Sequence, residues 1–470
     1  MEDTLYPFLN IYRRLPPWMQ TAIGISYRAL PKGFRLGPFY DEYKRRINHF
    51  ISLTKSAELS ALQLDLLKKT VNRAIANVPF YRQFNKMKVY NDIYDYPVIR
   101  KSDIVNNVGG FLSTEFSGSR LKSNTGGSSG TPMTFFLHSG RTRPKEQAHF
   151  DWYWGQYCFV QGSRILIIRG APLKNNALYE YQAIKNCLAV SCYELNSSNV
   201  GEVVQAARRF RPQFIHGYPS AVKNFMNSII ENNRLAWDIP IKALFVGSEW
   251  LSEDDRLAMD SFFNSKVVTW YGHSECAIMG GNSLDSNEFF FYPFYGYAEL
   301  IDDDGNPVKT PGQMGRIIAT SFDNFVMPFI RYDTGDLGVL SHKSTLDNMP
   351  CLVLSRIEGR KQDFIYLNDN TRVSLTAFIF GQHLTQFSII REMQLEQHAS
   401  GRLLLRIVPG KGYGAKDEQA MVDRLQKSVS GKIEIECVYV KQIEKTHRGK
   451  HRFLIQKIEA SDRCSNSPKN

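Results

Sequence analysis

Long apolar runs are missing from this sequence: no stretch of 18 apolar residues occurs in it, so we predict no membrane-spanning helix. Paired cysteines are missing as well, because none of the seven cysteines forms a CxxC pair and their number is odd. A chain of 470 residues does not need disulfide crosslinks, so this pattern predicts reduced thiols in a cytoplasmic protein and argues against a zinc site. The first residues, MEDTLYPFLNIYRRLPPWMQ, lack the apolar centre of a secretory signal.

Blocks of like charge are also absent. The 58 basic and 46 acidic residues give a formal net charge of +12, yet the charges are spread along the chain. A basic surface attracts anionic partners such as nucleotides, acidic sugars, nucleic acids or membrane surfaces. Nucleic-acid binding calls for a basic stripe with interleaved aromatic residues, and the short basic clusters at 208–212 and 445–452 do not form one. We therefore expect no nucleic-acid partner.

The composition that is present, 43% hydrophobic and 13% aromatic residues, is typical of a globular protein. Residues 1–120 have a largely helical pattern. Strand and helix patterns alternate from about 160 to 275, which predicts a parallel α/β sheet, and residues 290–360 have a β pattern. We predict an α/β fold with a large N-terminal domain, residues 1–361, that contains parallel sheets and a β-rich section, and a small α+β C-terminal domain, residues 362–470.

One N-terminal segment, WMQTAIGISYRALPKGFRLG, mixes aromatic and basic residues. Such a segment could lie on the inner face of a membrane as a peripheral anchor. The alternative is a basic helix packed against the large domain. Both interpretations remain open from the sequence.

The stretch SNTGGSSGTP, residues 123–132, combines glycines with hydroxyl side chains and carries no charge. Glycines let backbone N–H groups approach an anion, and the hydroxyls add further donors, so a phosphate is the natural ligand. The alternative is an ordinary Gly/Ser turn, since the GxxxxGK[ST] pattern is absent.

Three acidic or basic residues in later segments add to this interpretation. Glu275 follows a strand in YGHSE, where a carboxylate could hold Mg²⁺ on a triphosphate. Asp336 ends YDTGD and suits the two hydroxyls of a ribose, and Lys450 lies in a basic loop near the C-terminus. Taken singly, Glu275 could be a helix cap, Asp336 a turn residue and Lys450 a solvated charge.

Six segments of the chain resemble, in their order, the motifs of the adenylate-forming superfamily of acyl-CoA synthetases, luciferases and adenylation domains. They are SNTGGSSGTP, VGSE, YGHSE, YDTGD, RIEGRKQDFI and RGKHR. The resemblance covers nearly the whole chain beyond residue 70. Within the superfamily, NVPFYR, HGYPSAV and GRKQDFIYLNDNTRV resemble relatives of phenylacetate–CoA ligase, in particular the CapK-like branch of capsular polysaccharide biosynthesis.

The resemblance implies ATP and Mg²⁺ as cofactors, with Glu275 as catalytic residue and magnesium ligand and Lys450 as the catalytic lysine of a mobile small domain. It places the hinge at Gln362 and Asp363, where the usual Asp or Lys is replaced by Gln362. Ser274 stands at the position of the family's threonine. The residues that it assigns to ATP are Ser123, Thr125, Gly126, Gly127, Ser128, Ser129, Gly130, Thr131, Gly247, Ser248, Glu249, Tyr271, Gly272, Ser274, Asp336 and Arg360.

The substrate pocket that follows from the resemblance is rich in aromatic and polar residues, which favours a compact aromatic or polar acid over a long fatty chain. Its predicted residues are Trp152, Tyr153, His216, Tyr218 and His273. Plain core packing is the alternative for the aromatic cluster at 152–154.

The expected function is activation of a small carboxylic acid as an acyl-adenylate, followed by transfer to coenzyme A or to a sugar amine or hydroxyl in cell-surface polysaccharide synthesis. Two alternatives are open. An adenylyltransferase would leave AMP on a hydroxyl or phosphate acceptor, and a non-catalytic scaffold of a polysaccharide assembly complex would only retain the fold.

Overall fold

The structure is a computed structural model. It describes residues 9–53, 55–84, 92–124, 133–169, 173, 177–192, 194–249, 251–346, 348–360, 364–369, 372–379, 386, 389–429, 431–444 and 452–458.

The N-terminal region is helical, as predicted. Its longest helix, α5 (Ser56–Asn77), buries Leu67, Val71 and Ala74 at a spacing of three to four residues and ends before Pro79, since a residue that precedes proline disfavours the helical conformation. The helices of this region are α1 (Leu9–Arg14), α2 (Pro17–Ala29), α3 (Lys32–Leu36), α4 (Pro38–Ser52), α5, α6 (Pro79–Arg82) and α7 (Lys101–Asn106).

A sheet of twelve strands forms the centre of the molecule. The alternating segment folds as predicted, because five of its strands pair in parallel. They are, in sheet order, β5 (Cys187–Ser191), β3 (Ile165–Arg169), β6 (Phe214–Gly217), β7 (Ala243–Gly247) and β8 (Val267–Gly272). The strands of the β-rich section join the same sheet as antiparallel neighbours, so the sheet is mixed. In sheet order the strands are β11 (Gly296–Ile301), β12 (Met314–Ser321), β13 (Tyr332–Leu340), β16 (Val353–Arg360), β10 (Ser286–Phe291), β9 (Met279–Ser283), β8 (Val267–Gly272), β7 (Ala243–Gly247), β6 (Phe214–Gly217), β3 (Ile165–Arg169), β5 (Cys187–Ser191) and β4 (Tyr179–Gln182).

Helices cover both faces of the parallel part of this sheet. Leu166 and Ile168 of β3 pack into one core cluster and Ile165 into another, as the alternation of side chains along a strand requires. The first cluster includes residues of α9 (Val200–Phe210), α10 (Pro219–Glu231) and α11 (Glu253–Phe263), and the second includes residues of α4 and α8 (Thr142–Gly155).

The C-terminal part has a sheet and a core of its own. Its four strands lie in the order β21 (Glu434–Tyr439), β20 (Arg402–Pro409), β19 (Ile390–Ala399) and β22 (Leu454–Gln456). Helix α13 (Ala415–Ser428) packs on them through Met421 and Leu425. Arg391 of β19 donates from Nε to Oδ1 of Asn224 in α10 at 3.2 Å, and this bond links the small sheet to the large one.

The shorter elements are β1 (Arg120–Asn124) with β2 (Thr134–His138), β14 (Thr345–Leu346) with β15 (Met349–Pro350), β17 (Phe364–Tyr366) with β18 (Arg372–Ser374), and α12 (Leu375–Phe378). The domain boundary at 361/362 stays a prediction, because residues 361–363 lie outside the described residues.

The cysteines and helices of the described residues agree with two expectations from the sequence. Six cysteines, all except Cys464, are described, and each is a free thiol. Within the described ranges, no helix combines the length and the apolar character needed to cross a membrane.

Candidate active site

The loop after β7 lies at the carboxyl end of the parallel strands, where ligands bind in sheets of this kind. Gly247 ends the strand, and a Cβ atom there would come within 2.7 Å of the Trp270 ring, so the close approach requires glycine. The loop then turns through Ser248, whose φ is +68°. Glu249 accepts a hydrogen bond at its Oε2 from the backbone N–H of Ser220, at 3.2 Å. This bond holds the loop against the start of α10.

The next loop, after β8, presents Glu275, which is 6% exposed. Its Oε1 accepts a hydrogen bond from the Tyr332 hydroxyl at 2.8 Å, and its Oε2 lies 3.1 Å from Nδ1 of His273. Since an ionised carboxylate can only accept, the proton between these two groups lies on Nδ1 of His273, which donates to Glu275.

These donors decide the charge of Glu275. Burial alone would raise its pKa, but the hydrogen bond and the charge of His273 and the hydrogen bond from Tyr332 outweigh burial, so its pKa lies below the ordinary value. Glu275 is therefore ionised at neutral pH. Each of its oxygens accepts one of these bonds and keeps a further lone pair, so the carboxylate can also serve as one ligand of a cation.

Asp336, on β13, is held by Tyr271, the first residue of the motif YGHSE. The Tyr271 hydroxyl donates to Oδ2 of Asp336 at 2.6 Å. Burial and the neighbouring Asp336 carboxylate both raise the pKa of Tyr271 well above its ordinary value, so Tyr271 stays protonated and remains a donor. In the register of the sheet, Asp336 lies opposite Arg360 of β16.

The motifs YGHSE and YDTGD are thus joined by two reciprocal contacts. Tyr271 of the first motif bonds Asp336 of the second, and Tyr332 of the second bonds Glu275 of the first. In sheet order β16, β10 and β9 lie between β13 and β8, so these contacts join strands that are not neighbours. Gly296 makes room for the loop after β8, because a Cβ atom there would collide with the carbonyl of Ala277. Two carboxylates that are distant in the sequence are therefore held in fixed positions at one site.

Tyr332 is a candidate site residue that the sequence interpretation missed. The signal was present, since it is the aromatic residue that opens YDTGD. It is 3% exposed, and the His273 ring stacks near it with centroids 6.5 Å apart. We describe it as a positioning residue, because it acts through Glu275.

Two predicted pocket residues on α8 pack into the core. Trp152 lies edge-on to Tyr292 and Phe294, with ring centroids 4.8 and 5.0 Å away. Tyr153 is fully buried and donates to the carbonyl of Thr269 at 2.7 Å. These contacts fit core packing, the alternative considered for this cluster.

The aromatic residues that do surround His216 are Trp154 and Trp270. Trp270 stacks on the His216 ring at 5.4 Å, and Trp154 lies 5.3 Å from it. His216 is fixed by Nδ1, which lies 3.0 Å from the carbonyl oxygen of Phe245. The indole N–H of Trp154 is buried without a hydrogen-bond partner, and Tyr218 is buried at the start of α10.

A second carboxyl near His273, Glu146 of α8, was also missed. It accepts a hydrogen bond from the Tyr295 hydroxyl. Burial raises the pKa of Glu146 to about 7, although the charges of Lys145 and His273 act in the opposite direction. No sequence signal marked Glu146, because its position beside the β8 loop depends on how α8 docks on the sheet.

Several predicted site residues cannot be placed. Residues 125–132 of the glycine-rich loop, Gln362, Asp363 and Lys450 lie outside the described residues, and so does the side chain of Arg360. Ser123 lies on β1 opposite Phe135. Gly272 and Ser274 are exposed at the end of β8. The roles assigned to these residues stay predictions.

Magnesium was predicted at Glu275. Among the described residues there is no group of three or more His, Cys, Asp or Glu side chains that could hold a metal ion. An ionised carboxylate with free lone pairs fits Mg²⁺ that takes its other ligands from phosphate and water, which is the usual arrangement for this ion.

The family model described as the CapK C-terminal domain matches residues 367–457. Protein CapK of Staphylococcus aureus is 24% identical over 444 residues, which cover 90% of this chain and 93% of that protein. Phenylacetate-coenzyme A ligase of Pseudomonas putida is 24% identical over 333 residues, which cover 67% of this chain and 74% of that protein.

Among solved structures, 2-hydroxyisobutyryl-CoA ligase in the postadenylation state matches with a TM-score of 0.65 at 19% identity, covering 86% of this chain and 90% of that chain. The same ligase with 2-HIB-AMP and CoA in the thioesterification state matches with a TM-score of 0.53 at 20% identity, covering 86% and 91%.

The fold is therefore that of the adenylate-forming acyl-CoA ligases. The chain is homologous to CapK and to the phenylacetate–coenzyme A ligases, which confirms the resemblance carried by its motifs.

Proposed function

We propose that this protein is an ATP-dependent ligase that converts a small carboxylic acid into an acyl-adenylate and transfers the acyl group to an acceptor, with coenzyme A as the first choice. The observation that carries the proposal is the reciprocal pairing of Tyr271 with Asp336 and of Tyr332 with Glu275. A protein that had kept only the fold would not need a buried carboxylate, Glu275, and a partly buried one, Asp336, each oriented by a tyrosine. The homologous coenzyme A ligases support the same conclusion.

In the first step, an oxygen of the substrate carboxylate attacks the α-phosphorus of ATP, the bond to the β-phosphate oxygen breaks, and pyrophosphate leaves with the electron pair. Two anions must meet, so the chain has to supply positioning and positive or hydrogen-bond-donating groups. Lys450 would provide the charge between the carboxylate and the α-phosphate, and residues 123–131 would bind the β- and γ-phosphates through backbone N–H groups.

The described residues hold the remaining parts of ATP. Asp336 would accept from the two ribose hydroxyls, and Tyr271 keeps its carboxylate oriented for them. Gly247 to Glu249 and Tyr271 would flank the adenine. Glu275 would hold Mg²⁺, and the ion supplies charge neutralisation of the triphosphate when bound.

The acid would lie near the loop after β8, between helix α8 and the parallel strands. His216, Trp154 and Trp270 form an aromatic wall with a polar edge, and Glu146 adds a carboxyl close to His273. A compact aromatic or polar acid suits these side chains better than a long fatty chain. A tight preference for long-chain acids would contradict this assignment.

A sugar amine or hydroxyl is the second candidate for the acceptor, and the extent of the matches favours keeping it. The match to CapK covers 90% of the chain and includes the C-terminal domain, whereas the match to phenylacetate-coenzyme A ligase covers 67%. We therefore also propose a role in cytoplasmic synthesis of cell-surface polysaccharide, which the resemblance to the capsular polysaccharide branch supports.

The test measures pyrophosphate release from Mg·ATP with a panel of carboxylic acids, first without acceptor and then with coenzyme A or amino sugars. We expect acid-dependent release that collapses in Lys450→Ala, and AMP release once the correct acceptor is present. Release that depends on a hydroxyl or phosphate compound, with AMP retained in the product, would instead identify an adenylyltransferase. No release with any acid, while ATP still binds, would contradict the proposal.

A further inference from the structure

The outward face of α2 is apolar, which is the reverse of an ordinary surface helix. Trp18, Ala22, Ile25 and Ala29 follow one another at intervals of three or four residues, so they form one stripe along the helix. All four are exposed, Trp18 to 72% and Ile25 to 56%.

The opposite face of α2 is fixed to the large domain, so the stripe is not turned outwards by chance. Gly24 is buried so tightly against Ala183 that a Cβ atom at position 24 would meet the Ala183 backbone. At the end of the helix, Gln161 donates from Nε2 to the carbonyls of Arg28, at 2.5 Å, and Leu30, at 3.4 Å. The helix is therefore held with its apolar stripe facing away from the protein.

Neighbouring elements extend this surface. Tyr12 of α1 bonds the carbonyl of Gln20 in α2, and Gln161, which bonds the end of α2, follows the exposed Val160. The five most exposed large hydrophobic side chains of the described residues lie on these elements and on α3, the helix that follows α2 in the chain. They are Trp18, Val160, Ile11, Phe34 and Ile25, and we refer to them as the outer apolar patch. Such a concentration marks an interaction surface rather than scattered exposure.

The charges around the outer apolar patch identify its partner. Residues 4–40 contain five basic residues and no acidic one. The charged groups around this region have both signs. Lys32 is paired with Asp151, Arg35 is buried, and Asp41 lies against Gly33. Arg28 and Glu180 both lie near Tyr12. Exposed basic residues outnumber exposed acids, with Arg14, Lys44 and Arg45 against Asp41.

We propose that the outer apolar patch docks on the surface of a bilayer that contains anionic lipid, with α2 parallel to the membrane plane. Tryptophan and aliphatic side chains enter the boundary between headgroups and acyl chains, while neighbouring basic residues are attracted to anionic headgroups. A protein partner or a second copy of the chain would also cover apolar side chains, but neither explains the absence of acidic residues over this segment. The inference does not depend on the proposed ligase activity.

The experiment is flotation of the full-length protein with vesicles. We expect binding to phosphatidylcholine vesicles that contain phosphatidylglycerol, weak binding to pure phosphatidylcholine, and loss of binding at high salt. The double variant Trp18→Ser/Ile25→Ser should bind these vesicles at least about tenfold more weakly than the wild type, because both side chains enter the interface. Leu257→Ser, which changes a side chain that is 53% exposed on α11, is the matched control and should bind like the wild type.

Several results would overturn the proposal. One is absence of vesicle binding by the wild type, another is equal binding to neutral and anionic vesicles, and a third is equal binding by the wild type and the double variant. A concentration-dependent dimer that the double variant loses, without vesicle binding, would assign the patch to a second copy of the chain. Far-ultraviolet circular dichroism and thermal unfolding of the double variant verify that its fold is unchanged.

Discussion

Two carboxyl groups on different elements, Glu275 and Glu146, lie near His273, and their pKa values are shifted in opposite directions from the ordinary value. Glu275 on the loop after β8 has a lowered pKa, whereas Glu146 on α8 has a pKa raised to about 7. Burial raises the pKa of both groups. The difference comes from the donors: Glu275 receives bonds from His273 and Tyr332, and Glu146 receives one from Tyr295.

This comparison teaches that donors, rather than depth, decide which acid carries charge at this site. The loop side provides a fixed anion, suited to a cation on the triphosphate. The helix side provides a carboxyl that gains or loses its proton near neutral pH, suited to contact with a polar substrate. The following predictions remove the charge or the donor on each side in turn.

The largest effect is expected for Glu275→Gln. Glutamine keeps the size of the side chain but removes the charge that would hold Mg²⁺, so we expect acid-dependent pyrophosphate release to fall by about a hundredfold or more. The measurement is the release rate at saturating ATP over a series of magnesium concentrations. A variant with nearly the wild-type rate and magnesium dependence would show that Glu275 does not hold the ion.

Glu146→Gln tests the other side through stability. Because the folded-state pKa of Glu146 is raised, the unfolded chain loses its proton first as pH rises. As the pH rises from about 4.5 to 7, this group therefore lowers the free energy of unfolding. We expect a fall of about 2 kcal/mol, because the carboxyl is partly exposed. The variant should not show this fall.

The measurement for Glu146→Gln is urea unfolding of wild type and variant over that pH range. Glu275→Gln serves as the control, since it removes a carboxyl whose pKa is shifted the other way. Parallel pH profiles for the wild type and Glu146→Gln would contradict the assigned pKa.

Tyr332→Phe removes one donor from Glu275 and keeps the ring. A hydrogen bond to a charged group contributes roughly one pKa unit, so the pKa of Glu275 should rise by about that amount. Since Glu275 has to be ionised, activity should be lost at a higher pH as the solution is acidified. The measurement is the acid limb of the pH–rate profile.

Tyr271→Phe is the matched control for Tyr332→Phe, because Tyr271 donates to Asp336 and not to Glu275. This variant should raise the KM for ATP and leave the acid limb in place. An identical shift of the limb in both variants would mean that the tyrosines stabilise the site as a whole.

The sequence predicted the parts of this site that follow from local pattern. Strand and helix alternation placed the loops after β7 and β8 at the sheet edge, and the motifs YGHSE and YDTGD singled out Glu275 and Asp336. The contact between Tyr332 and Glu275 could not be predicted, because it joins residues 57 positions apart on β13 and after β8, two strands that are separated by three others in the sheet.

The helix side was less predictable for the same reason. Trp152 and Trp154 are two positions apart on α8, so they point to different sides of the helix, and the angle at which the helix docks decides which of them reaches His216. Glu146 carries no signal in the sequence, since a carboxyl inside a helix is usually solvated. Its raised pKa results from tertiary packing alone.

Tyr295→Phe is the counterpart of Tyr332→Phe and should have the smallest effect. Tyr295 donates to Glu146, so its loss should raise the pKa of Glu146. The rise should be only a fraction of a unit, because this carboxyl already keeps its proton up to about pH 7. The fall in unfolding free energy should then extend to slightly higher pH, while the acid limb of activity stays unchanged. If Tyr295→Phe moved the acid limb as far as Tyr332→Phe does, the two carboxyls would titrate as one coupled pair, and separate roles for the loop and the helix would have to be abandoned.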